Sequence, residues 1–101
     1  MATVRATATR WLSDDFPGFV EIVFADARGV RHTIHEKVPV LGCVELTSST
    51  AYPQEIWIEA SVLNDNEGVL TIHLAHSVES VDGRSDFDIP RRSVRAASEP
   101  N

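Results

Sequence analysis

The sequence predicts a small all-β domain, an antiparallel barrel or compact sandwich of six or seven strands and of SH3-like or OB-like size. Three observations carry this prediction. Several runs alternate between apolar and polar side chains, as half-buried strands do. The turn pattern D-x-x-G-V occurs twice between such runs, at 26–30 and 65–69, and this chemistry is typical of hairpin loops. The 101 residues suffice for one domain with one core.

The first strand is predicted over residues 3–12, where three threonines favour extended backbone. The residues expected to share its inward face are Val4, Ala6, Ala8 and Leu12. The sequence Asp-Asp-Phe-Pro-Gly at 14–18 then ends the strand.

The first hairpin is expected to have a three-residue loop that pairs Asp26 with Val30. Counting outward from this loop gives the whole register. The apolar face pairs Phe24 with His32, Ile22 with Ile34 and Val20 with Glu36, and the mixed face pairs Val23 with Thr33, Glu21 with His35 and Phe19 with Lys37.

The second hairpin is expected to use the same loop geometry, and a two-residue turn at Asp82-Gly83 should add a further strand. The expected pairs are Val62 with Ile72, Ala60 with Leu74, Ile58 with His76, Ile56 with Val78, Val78 with Phe87 and His76 with Ile89. The buried phases of the two hairpins are opposite, so the shared turn is not an internal repeat. Residues 1–90 are predicted to form the domain, and residues 91–101 a flexible C-terminal tail.

The charge is unevenly spread along the chain. The net charge is −6, because six basic and fourteen acidic side chains in residues 1–90 give −8, whereas the last eleven residues give +2. An acidic body repels phosphate backbones, so nucleic acid is not expected as a partner, and a basic protein is. No apolar run is long enough to span a membrane. The single cysteine, Cys43, favours a reducing cytoplasm and a packing role for this residue.

Four histidines raise the question of a ligand or metal site. His32 and His35 are three residues apart, as are His73 and His76, so each pair should split between the two faces of a strand. One possible cluster is His32, Glu36 and His76 on the apolar face, and another is His35, Glu21 and His73 on the mixed face. The first is the candidate small-ligand site; alternatively, its histidines bond to the backbone at the barrel mouth. Neither spacing is typical of zinc sites, so no metal is expected.

An acidic edge is the first candidate partner-binding feature. Asp86 and Asp88 share one face of the last strand, and the expected register places Asp86 opposite Glu79. Because facing like charges cost stability, this patch calls for a cation, a basic partner or a covering arginine such as Arg84.

Two aromatic residues are the second candidate feature. Trp57 and Phe19 fall on the mixed faces of their hairpins, where they are available as interface anchors. The alternative is a second small core beneath the N-terminal strand.

The chain carries no motif for catalysis or for a cofactor. It contains no G-x-S-x-G nucleophile turn and no glycine-rich phosphate loop. An enzyme and a cofactor are therefore not expected.

The stretches 16–22, 26–40 and 81–90 resemble small bacterial proteins of unknown function through their turns and strands. The resemblance implies no activity and no catalytic residues. The sequence therefore predicts a non-catalytic protein-interaction module with an acidic edge, for example an immunity or inhibitor-type protein. The alternative is a ligand-binding β-barrel with inward histidines. A homodimer formed through strand edges is compatible with the protein-interaction module.

Overall fold

The computed structural model describes residues 2–41 and 45–96, so Cys43 lies outside the described residues. The strands are β1 (Ala2–Ser13), β2 (Phe19–Ala25), β3 (Arg31–Lys37), β4 (Gln54–Asn66), β5 (Val69–Leu74), β6 (Asp86–Pro90) and β7 (Val94–Ala96). Two short 3-10 turns cover Val38–Leu41 and Arg91–Ser93. The all-β prediction is confirmed, and within the described residues no helix is both long and apolar enough to cross a membrane.

The strands form one antiparallel sheet that curls into a half-barrel. Their order is β3-β2-β1-β4-β5-β6, and β7 pairs separately with β1. The central strand β1 pairs with β4 along one edge over residues 2–8. Along its other edge it pairs with β7 at residues 2–4 and with β2 at residues 7–13. This division of one edge between two strands shapes the surface described below.

The register of the first hairpin is confirmed throughout, from Phe24 opposite His32 to Phe19 opposite Lys37. Its loop is also as expected, because the Asp26 N–H donates to the carbonyl of Val30 over 2.9 Å. β2 therefore turns alternate residues inward over its whole length.

The second hairpin is confirmed only in part. Ala60 lies opposite Leu74 and Val62 opposite Ile72, as predicted. Past Val62 a bulge at Leu63 shifts the register, and a bulged residue interrupts the regular ladder.

Its loop differs from the predicted three-residue loop. Asn66 lies opposite Val69, so only Glu67 and Gly68 form the turn. Both have positive φ, 51° and 88°, as a type I′ turn requires. The shared D-x-x-G-V letters thus build two different tips.

The predicted pairs of Ile58 with His76 and of Ile56 with Val78 are wrong, because β5 ends at Leu74. His76 and Ser77 both have a φ of 61°, a conformation that cannot continue a strand. The chain leaves the sheet there and forms a loop over residues 75–85.

The register of β6 is shifted as a consequence. Phe87 lies opposite Ile72, and Ile89 lies opposite Leu70, instead of Val78 and His76 as predicted. The predicted two-residue turn at Asp82-Gly83 is wrong. Ser80 and Arg84 close a three-residue loop there, in which only Gly83 has positive φ, and this loop lies outside the sheet.

The prediction of a flexible tail from residue 91 is wrong for residues 91–96. Val94 is half-buried and packs against the core, and β7 pairs with the first residues of β1. The described domain therefore reaches Ala96, and residues 97–101 lie outside the described residues.

The core fills the concave side of the curled sheet. Its strand residues are Val4, Ala6, Ala8, Val20, Ile22, Phe24, Ile34, Ile56, Ile58, Ala60, Leu70, Ile72, Leu74, Phe87 and Ile89. Leu12, predicted to face inward with them, is half-buried. Val38, Leu41, Leu46 and Val78 cover the core from the connecting segments.

The two outer strands of the half-barrel are bridged by short contacts. The Ala27 N–H donates to the Asp88 carbonyl over 2.8 Å, and the Val81 N–H donates to the Thr33 carbonyl over 2.8 Å. Beneath them the ring centroid of His32 lies 4.6 Å from that of Phe87. These contacts hold β3 close to β6 and limit the exposed sheet edge.

Candidate functional site

The predicted acidic edge does not form as expected. Asp86 lies opposite His73, whose Nδ1 is 2.5 Å from Asp86 Oδ1. Asp88 lies opposite Thr71 and accepts a hydrogen bond from its hydroxyl over 2.6 Å. Glu79 lies in the loop after β5 and faces neither of them in the sheet. The facing like charges that called for a partner are therefore replaced by neighbours that satisfy each carboxylate.

The aromatic candidates Trp57 and Phe19 are both half-buried. The guanidinium carbon of Arg95 lies 3.8 Å from the centroid of the Trp57 ring, close enough for a cation–π contact. Arg95 belongs to β7, in the segment predicted to be a flexible tail. Phe19 begins β2, opposite Lys37 of β3 and Ser13 of β1. Neither ring stands clear of the surface as an anchor.

The structure does not bring His32, Glu36 and His76 together as a ligand site. His32 is 7% exposed, and its Nε2 lies 2.8 Å from Asp26 Oδ2. His76 is exposed, and its Nε2 lies 2.5 Å from Glu59. The Glu36 carboxylate accepts the backbone N–H of Lys37.

The second histidine cluster is also divided between different partners. His35 Nε2 lies 3.0 Å from Glu21 Oε2, whereas His73 contacts Asp86. Within residues 2–41 and 45–96, no group of three or more potential ligands is arranged to hold a metal ion. All four histidines instead lie beside one carboxylate each.

Glu21 is the centre of a polar network on the outer face of β2. It accepts hydrogen bonds from the Thr9 hydroxyl over 2.8 Å and from two nitrogens of Arg10 over 3.2 Å, and His35 is its third partner. The hydrogen bonds from Arg10, Thr9 and His35 lower the pKa of Glu21 to about 2. This network holds the first hairpin against β1.

Asp26 is a second carboxylate of the same hairpin with a lowered pKa. Burial raises the pKa of Asp26, but hydrogen bonds from His32 and from the backbone N–H groups of Arg28 and Val30 outweigh it and lower it overall. The carboxylate therefore stays charged at the hairpin tip, where it orders both the loop and His32.

The most exposed large apolar side chain of the described residues is one that the sequence did not single out. Phe16, in the loop between β1 and β2, is 96% exposed. It directly follows Asp14 and Asp15 and precedes Pro17, so it is an aromatic side chain among acidic residues in a turn sequence. An aromatic residue among acidic residues in a turn is a usable signal for an exposed anchor, although the sequence pattern predicts only a strand break here.

This loop, residues 14–18, is held in one conformation by its own side chains. Trp11 Nε1 donates to Asp14 Oδ1 over 2.7 Å, and Ser13 Oγ accepts the Asp15 N–H over 3.1 Å. The Gly18 N–H donates to the Asp15 carbonyl over 2.7 Å. Gly18 lies so close to the indole of Trp11 that a Cβ there would be 2.4 Å from Cη2.

The loop is also tied to the rest of the domain. The Val38 N–H donates to the Gly18 carbonyl over 3.0 Å, which connects the loop to the segment after β3. Trp11 packs against the core. Phe16 thus projects from a loop fixed on both sides, and nothing within the described residues covers its ring.

Comparisons with known proteins identify no relative of this chain. No family model matches the chain, no curated protein matches it, and no solved structure matches it. The resemblance to small bacterial proteins of unknown function therefore stays a prediction.

Proposed function

We propose that this domain is a non-catalytic protein-binding module that docks its partner through the loop at residues 14–18. The single observation behind the proposal is the 96% exposure of Phe16 on a loop tied down by hydrogen bonds. An exposed aromatic ring adds nothing to the stability of the isolated domain, whereas buried aromatic anchors dominate many interfaces. An ordered loop also reduces the entropy lost on binding.

The partner is expected to present an apolar pocket with basic residues around it. Asp14 and Asp15 lie beside Phe16, and the whole chain carries a net charge of −6. Complementary charge accelerates encounter and orients the two surfaces. An immunity or inhibitor-type protein, which covers a basic site on another protein, is one concrete form of this function. A cytoplasmic setting belongs to the same proposal.

The proposed partner-binding surface thus differs from the one that the sequence predicts. Phe19 lies at the end of the loop and can extend the contact. Trp57 is covered by Arg95, and Asp86 is paired with His73. Glu79, Asp86 and Asp88 then contribute to the negative charge of the domain rather than to the anchor.

The experiment is quantitative capture of proteins from the source lysate on immobilised domain. The test variants are Phe16→Ser and Asp15→Asn, and Val81→Ser, which alters another exposed apolar residue at 61% exposure, is the control. We expect the same specific proteins on the original domain and on Val81→Ser, and at least about tenfold less on Phe16→Ser. Asp15→Asn should reduce capture by less than Phe16→Ser does. A higher salt concentration should weaken capture by the original domain.

Equal capture by Phe16→Ser would contradict the proposal. Each variant is first checked by denaturant unfolding, where a change within about 0.5 kcal/mol is expected for an exposed loop residue. If the immobilised domain captures free copies of itself, and Phe16→Ser abolishes this capture, the partner is a second copy of this chain rather than a different protein.

A further inference from the structure

A cleft of about 580 Å³ opens on the outer side of the sheet, where the edge of β1 passes from β7 to β2. β7 leaves β1 at Val4, and β2 joins it at Thr7, so Arg5 and Ala6 lie in the gap between the two strands. The Val23–Ala25 end of β2 forms one wall. The other walls come from Pro53, Glu55 and Ser93. A volume of this size is typical of small-molecule sites.

Two arginines line this cleft. Arg5 comes from β1, and Arg31 comes from the start of β3. Among the described residues, neither forms an ion pair with a carboxylate, whereas Arg10 and Arg91 do.

Hydroxyl groups supply further hydrogen bonds. Ser93 accepts a hydrogen bond from Arg5 over 3.3 Å, which holds that guanidinium at the cleft. Thr7 lines the floor and is half-buried. Guanidinium and hydroxyl donors together are the groups that recognise carboxylate and phosphate oxygens in proteins.

Glu55 limits what the cleft accepts. Glu55 lines the same cleft, so the two arginines and this glutamate leave one net positive charge. A simple anion meets repulsion there, but a ligand with a hydroxyl or amino group can donate to Glu55 while its anionic end lies at the arginines.

We infer that this cleft binds a small organic anion that carries one carboxylate or phosphate group and at least one hydroxyl or amino donor. Arg5 and Arg31 hold the anionic group, and Glu55 accepts the donor. The inference does not rest on the proposed protein-binding function, because Phe16 lies beyond the other end of β1 and does not line the cleft.

The test is an NMR titration at fixed ionic strength that follows the Nε–Hε signals of the arginines. The probes are glycerol 3-phosphate, glycerate and glycerol, which share hydroxyl groups and differ in their charged group. We expect saturable shifts at Arg5 and Arg31 with one or both anionic probes, and none with glycerol. The two anionic probes decide between phosphate and carboxylate.

Variants separate a site from general charge attraction. Arg31→Gln should weaken binding about tenfold, and Arg31 itself forms no side-chain hydrogen bond among the described residues. Arg5→Gln should weaken binding by a similar factor, although it also removes the bond to Ser93. Arg28→Gln is the matched control, because Arg28 lies on the adjacent hairpin tip and does not line the cleft. It removes the same charge and should leave the affinity unchanged.

Glu55→Gln provides an independent check. Loss of its charge should strengthen binding of inorganic phosphate about fivefold and reduce the preference for glycerol 3-phosphate over phosphate. The inference is overturned if neither anionic probe gives a saturable shift, or if Arg28→Gln weakens binding as much as Arg31→Gln.

Discussion

The hairpins β2–β3 and β4–β5 share the turn letters D-x-x-G-V but are ordered in different ways. In the first, Asp26 accepts two backbone N–H groups of its own loop and contacts His32 six residues later. In the second, the corresponding Asp65 is exposed and pairs with Arg91, and Thr71 stands six residues later. The first tip is fixed by a side chain of its own loop. The second is a two-residue turn held from outside, by the pair of Asp65 with Arg91 and by the Arg91 N–H, which donates to the Gly68 carbonyl over 2.8 Å.

The first hairpin is preorganised at its base as well as at its tip. The first hairpin begins at the loop that carries Phe16, and the Gly18 carbonyl ties that loop to the residue after β3. The second hairpin extends past the core, and Leu63 at its bulge is 58% exposed. The proposed docking loop therefore adjoins a hairpin that is tied down at its base and at its tip.

The largest contrast is expected from the two aspartates. Asp26→Ala should lower the free energy of unfolding by about 3 kcal/mol, because it leaves the buried His32 without its partner and removes the acceptor of two N–H groups. Asp65→Ala should cost less than about 1 kcal/mol, since its ion pair is exposed. Urea unfolding measures both, and equal losses would show that the two tips do not differ.

The glycines should give the next largest contrast. Gly18→Ala is expected to cost about 2–3 kcal/mol, because φ is +100° and the new Cβ would lie 2.4 Å from Trp11. Gly68→Ala meets no neighbour within 4 Å, so only the backbone strain at φ +88° remains, about 1 kcal/mol. Thermal unfolding compares the pair; a Gly68→Ala loss as large as that of Gly18→Ala would refute the close packing of the loop on Trp11.

Acid should destabilise the domain in part through carboxylates of the first hairpin. Hydrogen bonds from Arg10, Thr9 and His35 lower the pKa of Glu21 from 4.5 to about 2. The unfolded chain therefore binds this proton more readily, and the stabilisation present above pH 4.5 is lost as the pH falls through that range towards about 2. Asp26 acts in the same direction.

We expect Glu21 to contribute about 1–2 kcal/mol to the loss of stability between about pH 6 and pH 2, given its partial exposure. Urea unfolding against pH measures the loss, and Glu21→Gln should flatten that part of the curve. An unchanged curve in Glu21→Gln would contradict the network around Glu21.

The sequence was sufficient where alternation and local turn chemistry act together. The first hairpin follows from Asp26, Gly29 and the alternation of β2 and β3. After Leu74 the alternation continues in the burial of Val78 and Ser80, but there it belongs to a loop folded back on the core. Periodicity alone cannot distinguish such a loop from a strand, and the error placed Glu79 opposite Asp86.

The candidate site was harder to predict than the fold. The sequence predicts an available Trp57 because the residue that covers it, Arg95, is far away along the chain. Arg95 reaches Trp57 only because β7 pairs with β1. The sequence does not identify Phe16 as a candidate, because an apolar loop residue can face either the core or the solvent. Only tertiary contacts determine which. The hydrogen bond from Trp11 to Asp14 at the start of the loop is one such contact.

The most direct test of a preformed docking loop is the backbone order of residues 14–18 in the free domain. NMR relaxation should give order parameters of about 0.85 for the Asp15, Phe16 and Gly18 amides, equal to those of β2. Values below about 0.6 in the Phe16 loop would show that it is flexible, and would contradict a preformed docking site.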